Sequence, residues 1–350
     1  MYPALAVLKA LGEQANPVLW VGSQGGMEAD LVQRAKIPFK TIPAAGVHGV
    51  GLGSLPGNLL QLGRGVLASR RILQQFRPDV ILFTGGYVAA PMAVAAGRTP
   101  KLLYVPDIEP GMALKFLAGY SNCIAVTTED SRAYFSEKAR TIVTGYPTRT
   151  DLADWVGRKI EAKKLLDIRT ELPVVLVFGG SKGARSINQA LTSILPTILE
   201  TAEVIHITGS LDWNDARTIH DAMPASLAAR YHHHQYLHEE MGAALAAADL
   251  VVSRAGASIL GEYPLFGLPA ILVPYPYAWR YQKVNADYLT GRGAAVILED
   301  QALKDELLQT LNVLWENPNK LKAMRAAMFE LSHPRAADKI ASKLIELAGA

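Results

Sequence analysis

The 350-residue sequence contains one cysteine, Cys123, and that scarcity excludes several classes. A single thiol cannot close an intrachain disulfide, so a disulfide-stapled scaffold is ruled out and a reducing cytoplasm suits the chain. The neighbours of Cys123 are apolar, which reads as a core thiol rather than a nucleophile. An excess of one charge is also missing: 35 Lys and Arg stand against 32 Asp and Glu, a formal net charge of +3. With no basic block and no aromatic RNA-binding signature, nucleic acid is not an expected partner. Long apolar runs are absent as well. Residues 80–97 carry no charged side chain, but Gly85-Gly86 and Pro91 interrupt them, so a buried strand, a turn and a helix are expected rather than a membrane span. No Asp-x-Asp pair, no G-x-x-x-x-G-K-[ST] loop and no full G-x-G-x-x-G is present.

What is present is a large apolar fraction. Half the residues are hydrophobic and 19% are charged, which fits a globular chain of about two domains. Met1 to Gly12 reads as a helix with Pro3 in its first turn and Gly12 near its end. It lacks a basic n-region and is too short for a signal peptide. A chain opening inside a helix, where strands should precede helices, suggests that a first strand is missing.

Strand and helix signals then alternate. Strands are expected at 17–22, 39–42, 79–84, 102–105 and 123–126, and helices at 27–35, 59–76 and after Pro91. The turn-rich stretch Thr144 to Asp151 marks a domain junction. After it, strands are expected at 174–178, 203–208, 229–231, 249–252 and 270–273. Helices are expected near 184–199, 240–247, 257–265, 281–292, 302–315 and 318–330. This alternation implies an α/β protein with parallel sheets in two Rossmann-like domains. In such sheets ligands bind beyond the carboxyl ends of the strands.

The segment Val174 to Ala190 carries the most information. An apolar run, Val174 to Phe178, stops at Gly179-Gly180, and Ser181-Lys182-Gly183-Ala184 leads into an amphipathic helix pattern. A strand turning sharply into a helix leaves unpaired N–H groups and a positive dipole end facing outward, a seat for a diphosphate. The plainer reading is an ordinary strand–helix turn. Tyr231-His232-His233-His234 invites a zinc reading, but adjacent residues on a strand alternate faces and cannot all reach one ion.

Six segments in order resemble the GT-B glycosyltransferases, specifically the bacterial family that adds N-acetylglucosamine to the lipid-linked muramoyl-pentapeptide precursor of peptidoglycan. They are Tyr2 to Val7, Met27 to Val32, Gly85-Gly86-Tyr87-Val88, Gly145 to Asp151, Gly179 to Ala184, and residues 254–285. The resemblance implies two Rossmann-like domains facing a central cleft. Residues 1–148 would form the acceptor and membrane-side domain, and 149–350 the donor domain, with the last helix returning to the first. The donor would be UDP-N-acetylglucosamine and the acceptor a lipid diphosphate. No metal or cofactor would be required, and the enzyme would sit peripherally on the cytoplasmic face of the membrane.

Residue by residue, the resemblance assigns the donor diphosphate to Gly179, Gly180 and Ser181, with Ala257 and Ser258 beside it. Arg149 matches a junction arginine near the donor. Glu262 matches a carboxylate on the ribose hydroxyls, chemistry an ionised carboxylate suits, although an ordinary helix-surface glutamate is the plain alternative. His238 falls where the family's backbone meets uracil. Tyr281 and Gln282 fall where two glutamines read the sugar, so one sugar contact is altered. Gly85, Gly86, Tyr87 and Glu109 fall on the acceptor side.

Two departures stand out. The family's first strand and its Gly-Gly-x-Gly-Gly-His loop are not in this sequence, and Val105-Pro106-Asp107-Ile108-Glu109-Pro110 replaces a His-Glu-Gln-Asn stretch. The general base candidates are then Asp107, Glu109 and His48; Asp107 is favoured, but it also suits a helix-capping role and His48 a plain loop role. A second acid, Glu109, would oppose an anionic acceptor unless paired or turned away. Residues 41–63 carry no charge and are followed by Arg64, Arg70, Arg71 and Arg77, so this region is either a face for an anionic membrane or an amphipathic core helix. Two other functions remain open: a non-catalytic UDP-sugar-binding homologue, and a GT-B transferase with a different lipid or glycan acceptor.

Overall fold

The computed structural model describes all residues except 24–27, 45–54, 181–182, 278–279 and 350. The chain separates into two compact units, residues 1–147 with 335–350, and residues 148–334. The first contains β1 (Trp20–Ser23), β2 (Phe39–Ile42), β3 (Ile81–Phe83), β4 (Lys101–Val105), β5 (Cys123–Val126) and β6 (Thr141–Val143). All its pairings are parallel; β1 pairs with β2, and β3-β4-β5-β6 form a separate four-stranded sheet. Every residue of β4 and β5 is buried, as expected for strands covered on both faces. Cys123 is 1% exposed, and burial raises its thiol pKa, as suits a core thiol. The last helix, Ala336–Ala348, belongs to this unit and packs on the first helix, Tyr2–Leu11.

The second unit holds β7 (Val174–Phe178), β8 (Glu203–Ile207), β9 (Tyr231–His234), β10 (Leu250–Ser253), β11 (Ala270–Leu272) and β12 (Ala295–Ile297). They form one parallel sheet in the order β12-β11-β10-β7-β8-β9. This is the doubly wound order, and it reverses direction between β7 and β10. The Arg185–Leu199 helix covers one face, burying Ile187, Leu191, Leu195 and Ile198 with β-sheet residues Val175, Val204 and Val252. Each such side chain contributes roughly 1.5–3 kcal/mol through burial.

Several elements differ from their sequence signals. Two strands, β6 and β12, had no assigned signal: at three residues each, Thr141–Val143 and Ala295–Ile297 are too short to establish a period. The helices Met112–Ala118, Lys159–Leu165 and Trp213–Asp221 were also unassigned. The strand expected at 229–231 instead runs Tyr231–His234, so the histidines form the strand itself. Edge position makes this tolerable: His232, His233 and His234 align with Ile205, His206 and Ile207 of β8. His232 Nε2 lies 2.7 Å from Glu203 Oε2, while His233 stacks with the rings of Tyr231 and His220.

Buried histidine works against the stability of the second unit in acid. Burial takes His206 from 6.5 down to about 3 and also lowers His233 and His234. Below about pH 6.5 the unfolded chain binds protons that the folded His206 refuses, so stability falls as pH drops from there towards about 3. At pH 5, His206 alone is expected to cost about 2 kcal/mol relative to pH 8. Because the raised Glu262 carboxyl of the same unit shifts stability in the opposite sense over this range, urea unfolding of the chain and of His206→Gln at the two pH values checks this by difference, and an identical change with pH in both would contradict it.

Candidate functional site

The order reversal between β7 and β10 sets the loops after those strands on either side of an opening at the sheet's carboxyl edge. After β7 the backbone turns tightly. A Cβ on Gly179 would lie 2.2 Å from the Ala184 Cβ, so only glycine fits there. Gly180 and Gly183 adopt positive φ values of 95° and 78°, and the Gly183 N–H donates to Gly180 O at 2.9 Å. A Cβ on Gly183 would meet Thr208 O at 2.3 Å. The following helix has no acidic residue in its own first turn. Ser181 lies outside the described residues.

Beyond β10, Ala257 and Ser258 are partly exposed at the head of the Ile259–Phe266 helix, and Glu262 lies in its first turn. The Glu262 carboxyl interacts with the Ser258 hydroxyl and with Arg149. Burial raises its pKa from 4.5 to about 7, more than Arg149 and Ser258 lower it. Arg149 holds Asp151 (Nε to Oδ1, 3.1 Å) and donates from Nη2 to the His238 backbone oxygen at 2.7 Å. Thus Arg149 bonds the His238 backbone and lies within electrostatic reach of Glu262, 113 positions later in the sequence (149 to 262). The His238 ring is exposed and leans on Tyr236.

On the β11 side, Tyr281 and Gln282 open the Tyr281–Gly291 helix, both partly exposed. Gln282 Oε1 accepts from the Tyr275 backbone N–H at 2.9 Å, which turns the amide so that its N–H₂ faces away from that bond. Asn285, fully buried one turn later, donates to Ala255 O at 3.2 Å and ties this helix to the loop after β10.

Sequence reasoning gave no role to Arg254, Asp300, Ser186 or Asn285. Arg254 donates to Asp300 Oδ1, to Val273 O at 3.2 Å and to Ser186 Oγ at 2.8 Å. The available signal was their placement: an arginine directly after an apolar strand, an aspartate just beyond β12, and an asparagine within an apolar helix face.

In the first unit, Gly85 (φ 103°), Gly86 (φ 85°) and Tyr87 follow β3, while Asp107 and Glu109 follow its partner β4. Tyr87 is exposed and Asp107 partly buried. Asp107 lies in the electrostatic reach of Tyr104, whose hydroxyl pairs with Thr127 Oγ1 at 3.0 Å. Burial pushes the Tyr104 phenol well above its ordinary pKa. Glu109 is only 7% exposed. His48 lies outside the described residues.

Residues 1–126 match the Glycosyltransferase family 28 N-terminal domain, and residues 174–340 its C-terminal domain. A Roseiflexus sp. (strain RS-1) protein named UDP-N-acetylglucosamine–N-acetylmuramyl-(pentapeptide) pyrophosphoryl-undecaprenol N-acetylglucosamine transferase is 39% identical, over 97% of this chain and 91% of its own. A protein of the same name from Desulforudis audaxviator (strain MP104C) is 38% identical, over 100% of this chain and 95% of its own. The fold is similar to the crystal structure of Acinetobacter baumannii MurG, with TM-score 0.77, 24% identity and coverage of 99% of this chain and 95% of that one. It is also similar to a Neisseria meningitidis UDP-GlcNAc 2-epimerase bound to UDP-GlcNAc, with TM-score 0.67, 13% identity and coverage of 99% and 96%.

The raised pKa of Glu262 gives a directional test. If Glu262 takes the ribose hydroxyls, as the sequence resemblance implies, its ionised form accepts from both, and affinity for uridine diphosphate should rise as pH passes upward through about 7. Glu262→Gln should bind about tenfold more weakly at pH 8 and lose the Glu262 component of that rise. Calorimetric titration at pH 6, 7 and 8 with both proteins measures it; parallel pH profiles would refute the assignment.

Proposed function

Because the chain belongs to glycosyltransferase family 28, with the near-full-length relatives just described, we propose that it transfers N-acetylglucosamine from UDP-N-acetylglucosamine to a lipid-linked muramoyl-pentapeptide diphosphate in peptidoglycan synthesis. The observation that carries the reading within the molecule is the pairing of Arg149 with the His238 backbone, with Glu262 in its electrostatic reach, in the same unit as the β7 glycine turn. Such a site can take a uridine diphosphate: a carboxylate for ribose, a fixed backbone segment for the base, and glycines with a helix head for the phosphates.

The proposed chemistry is an inverting displacement. The acceptor hydroxyl attacks the anomeric carbon, its proton passes to a base, and UDP leaves with the glycosidic electron pair. The glycine turn and helix N-termini stabilise the charge that develops on the diphosphate, and no metal or cofactor is invoked. Arg149, Gly179, Gly180, Ser181, His238, Ala257, Ser258, Glu262, Tyr281 and Gln282 are the donor set. Gly85, Gly86, Tyr87 and Glu109 form the acceptor set, and Asp107 is the base, with His48 the second catalytic candidate. In this reading the first unit takes the acceptor and the second the donor.

A peripheral place on an anionic, cytoplasmic membrane surface is part of the proposal. Among the described residues, no helix is long and apolar enough to cross a membrane. In the first unit the Leu55–Phe76 helix exposes Leu60, Arg64, Leu67 and Arg71, spaced to lie along one side. It packs against the Ala89–Ala95 helix, which packs against Met112–Ala118. Val94, Met112 and Phe116 are exposed on those two. The three helices contain no Asp or Glu, so apolar side chains and cations meet a lipid surface without opposing charge.

Three measurements test this reading. The chain should transfer labelled N-acetylglucosamine to a muramoyl-pentapeptide lipid diphosphate analogue; donor binding without transfer to any acceptor would favour a binding homologue instead. Asp107→Asn should lower kcat about 10²- to 10⁴-fold while uridine diphosphate affinity holds. Leu60→Ser with Leu67→Ser should reduce sedimentation with vesicles containing anionic lipid, and unchanged sedimentation would remove this helix from the membrane contact.

A further inference from the structure

Four loops at the carboxyl edge of the second sheet meet at one side chain. Arg254 follows β10. Its Nη1 donates to Val273 O, just after β11, at 3.2 Å, and to Asp300 Oδ1, beyond β12. Its Nη2 donates to Ser186 Oγ, in the first turn of the helix after β7, at 2.8 Å. Its guanidinium carbon lies 5.2 Å from the centre of the Tyr275 ring, in the loop after β11. The loop after β11 carries the Tyr275 N–H that holds Gln282 Oε1 at 2.9 Å.

This arginine is arranged for construction rather than for ligand charge. Its side chain is 11% exposed and Asp300 cancels its charge. A lone cation at the head of a helix would oppose the dipole, and the paired carboxylate removes that cost. A planar fork can bond in several directions while stacking on a ring, which an ammonium cannot do.

We propose that Arg254 is a positioning residue for the sugar half of the donor, setting Tyr275, and through its N–H the Gln282 amide, relative to the diphosphate turn. The proposal rests on the donor assignment above. The two halves of the site separate because Ser186 also donates directly to Asp300 Oδ1 at 2.7 Å. That bond keeps the diphosphate helix tied to the β12 end when Arg254 is replaced. Among the described residues the loop after β11 has no such second tie to Ser186; it loses the bond at Val273 O and the cation under Tyr275. The nucleotide contacts at Arg149 and Glu262 lie outside the hub.

The test compares two ligands, UDP and UDP-N-acetylglucosamine, on the full chain by calorimetry, with KM and kcat alongside. Arg254→Lys should weaken UDP-N-acetylglucosamine about tenfold or more while UDP changes by less than about threefold. Tyr275→Ala removes a ring that is already 44% exposed, so it should fold, and it should shift the same ratio in the same direction. If Arg254→Lys does not fold, Tyr275→Ala decides the matter. Equal loss for both ligands, or no loss for either, overturns the positioning role. Failure of the unsubstituted protein to bind either ligand overturns the donor assignment and this proposal with it; a changed ratio supports the positioning role.

Discussion

The pairing of β7 with β10 is the constraint on which the second unit depends. Val175 to Phe178 register against Leu250 to Ser253, and the sheet then grows outward in opposite directions from this pair. Chain crossing after β7 and after β10 therefore leads away from a common line. Of the residues proposed to hold the donor, Gly179 and Gly180 follow β7 and Ala257, Ser258 and Glu262 follow β10, while Arg149 comes from the segment before the sheet, His238 from beyond β9, and Tyr281 and Gln282 from beyond β11. The strands are buried on both faces, so a shift of register would move apolar side chains out of a filled core.

The side of β7 away from β10 is closed by a polar chain of fixed direction. The Tyr231 hydroxyl donates to His206 Nδ1, which places the imidazole proton on Nε2 for Asn188 Oδ1. Asn188 Nδ2 donates to Thr208 O at 2.8 Å and to Asp212 Oδ2 at 2.7 Å, and Asp212 accepts from Arg185. Thr208 O is the atom that leaves no space for a side chain on Gly183. The glycine turn is thus braced by a network in which each buried donor named here meets an acceptor. Such a network holds one geometry, and a partly satisfied version would cost more than an apolar core.

The glycine turn, the alternation of elements and the family likeness were legible because each depends on local residue type and order. Gly179-Gly180 after Val174 to Phe178 could be read without coordinates, and the helices 302–315 and 318–330 followed from apolar period. Short strands were not legible: Ala295–Ile297 is a strand because β11 lies beside it, not because three residues announce it. The histidine run misplaced β9, since its pairing with β8 comes from the neighbouring strand. Arg254, Asp300 and Ser186 are 68 or more positions from each other in two of their three separations, 186 to 254 and 186 to 300, so only the folded sheet brings them together.

The altered sugar contact has a physical reading once the amide of Gln282 is oriented. Its carbonyl is occupied by the Tyr275 N–H, which leaves the amide nitrogen with donors. On the proposed assignment Gln282 therefore reads an acceptor atom of the sugar, such as a hydroxyl or acetamido oxygen. Tyr281 adds a hydroxyl that can either donate or accept. A pair of glutamines could present one fixed donor and one fixed acceptor, whereas a glutamine and a tyrosine fix only the donor. Selectivity then falls more heavily on where the Gln282 amide is held than on which residue precedes it. That position is set by the loop after β11, and so by the packing of Tyr275 against the Arg254–Asp300 pair.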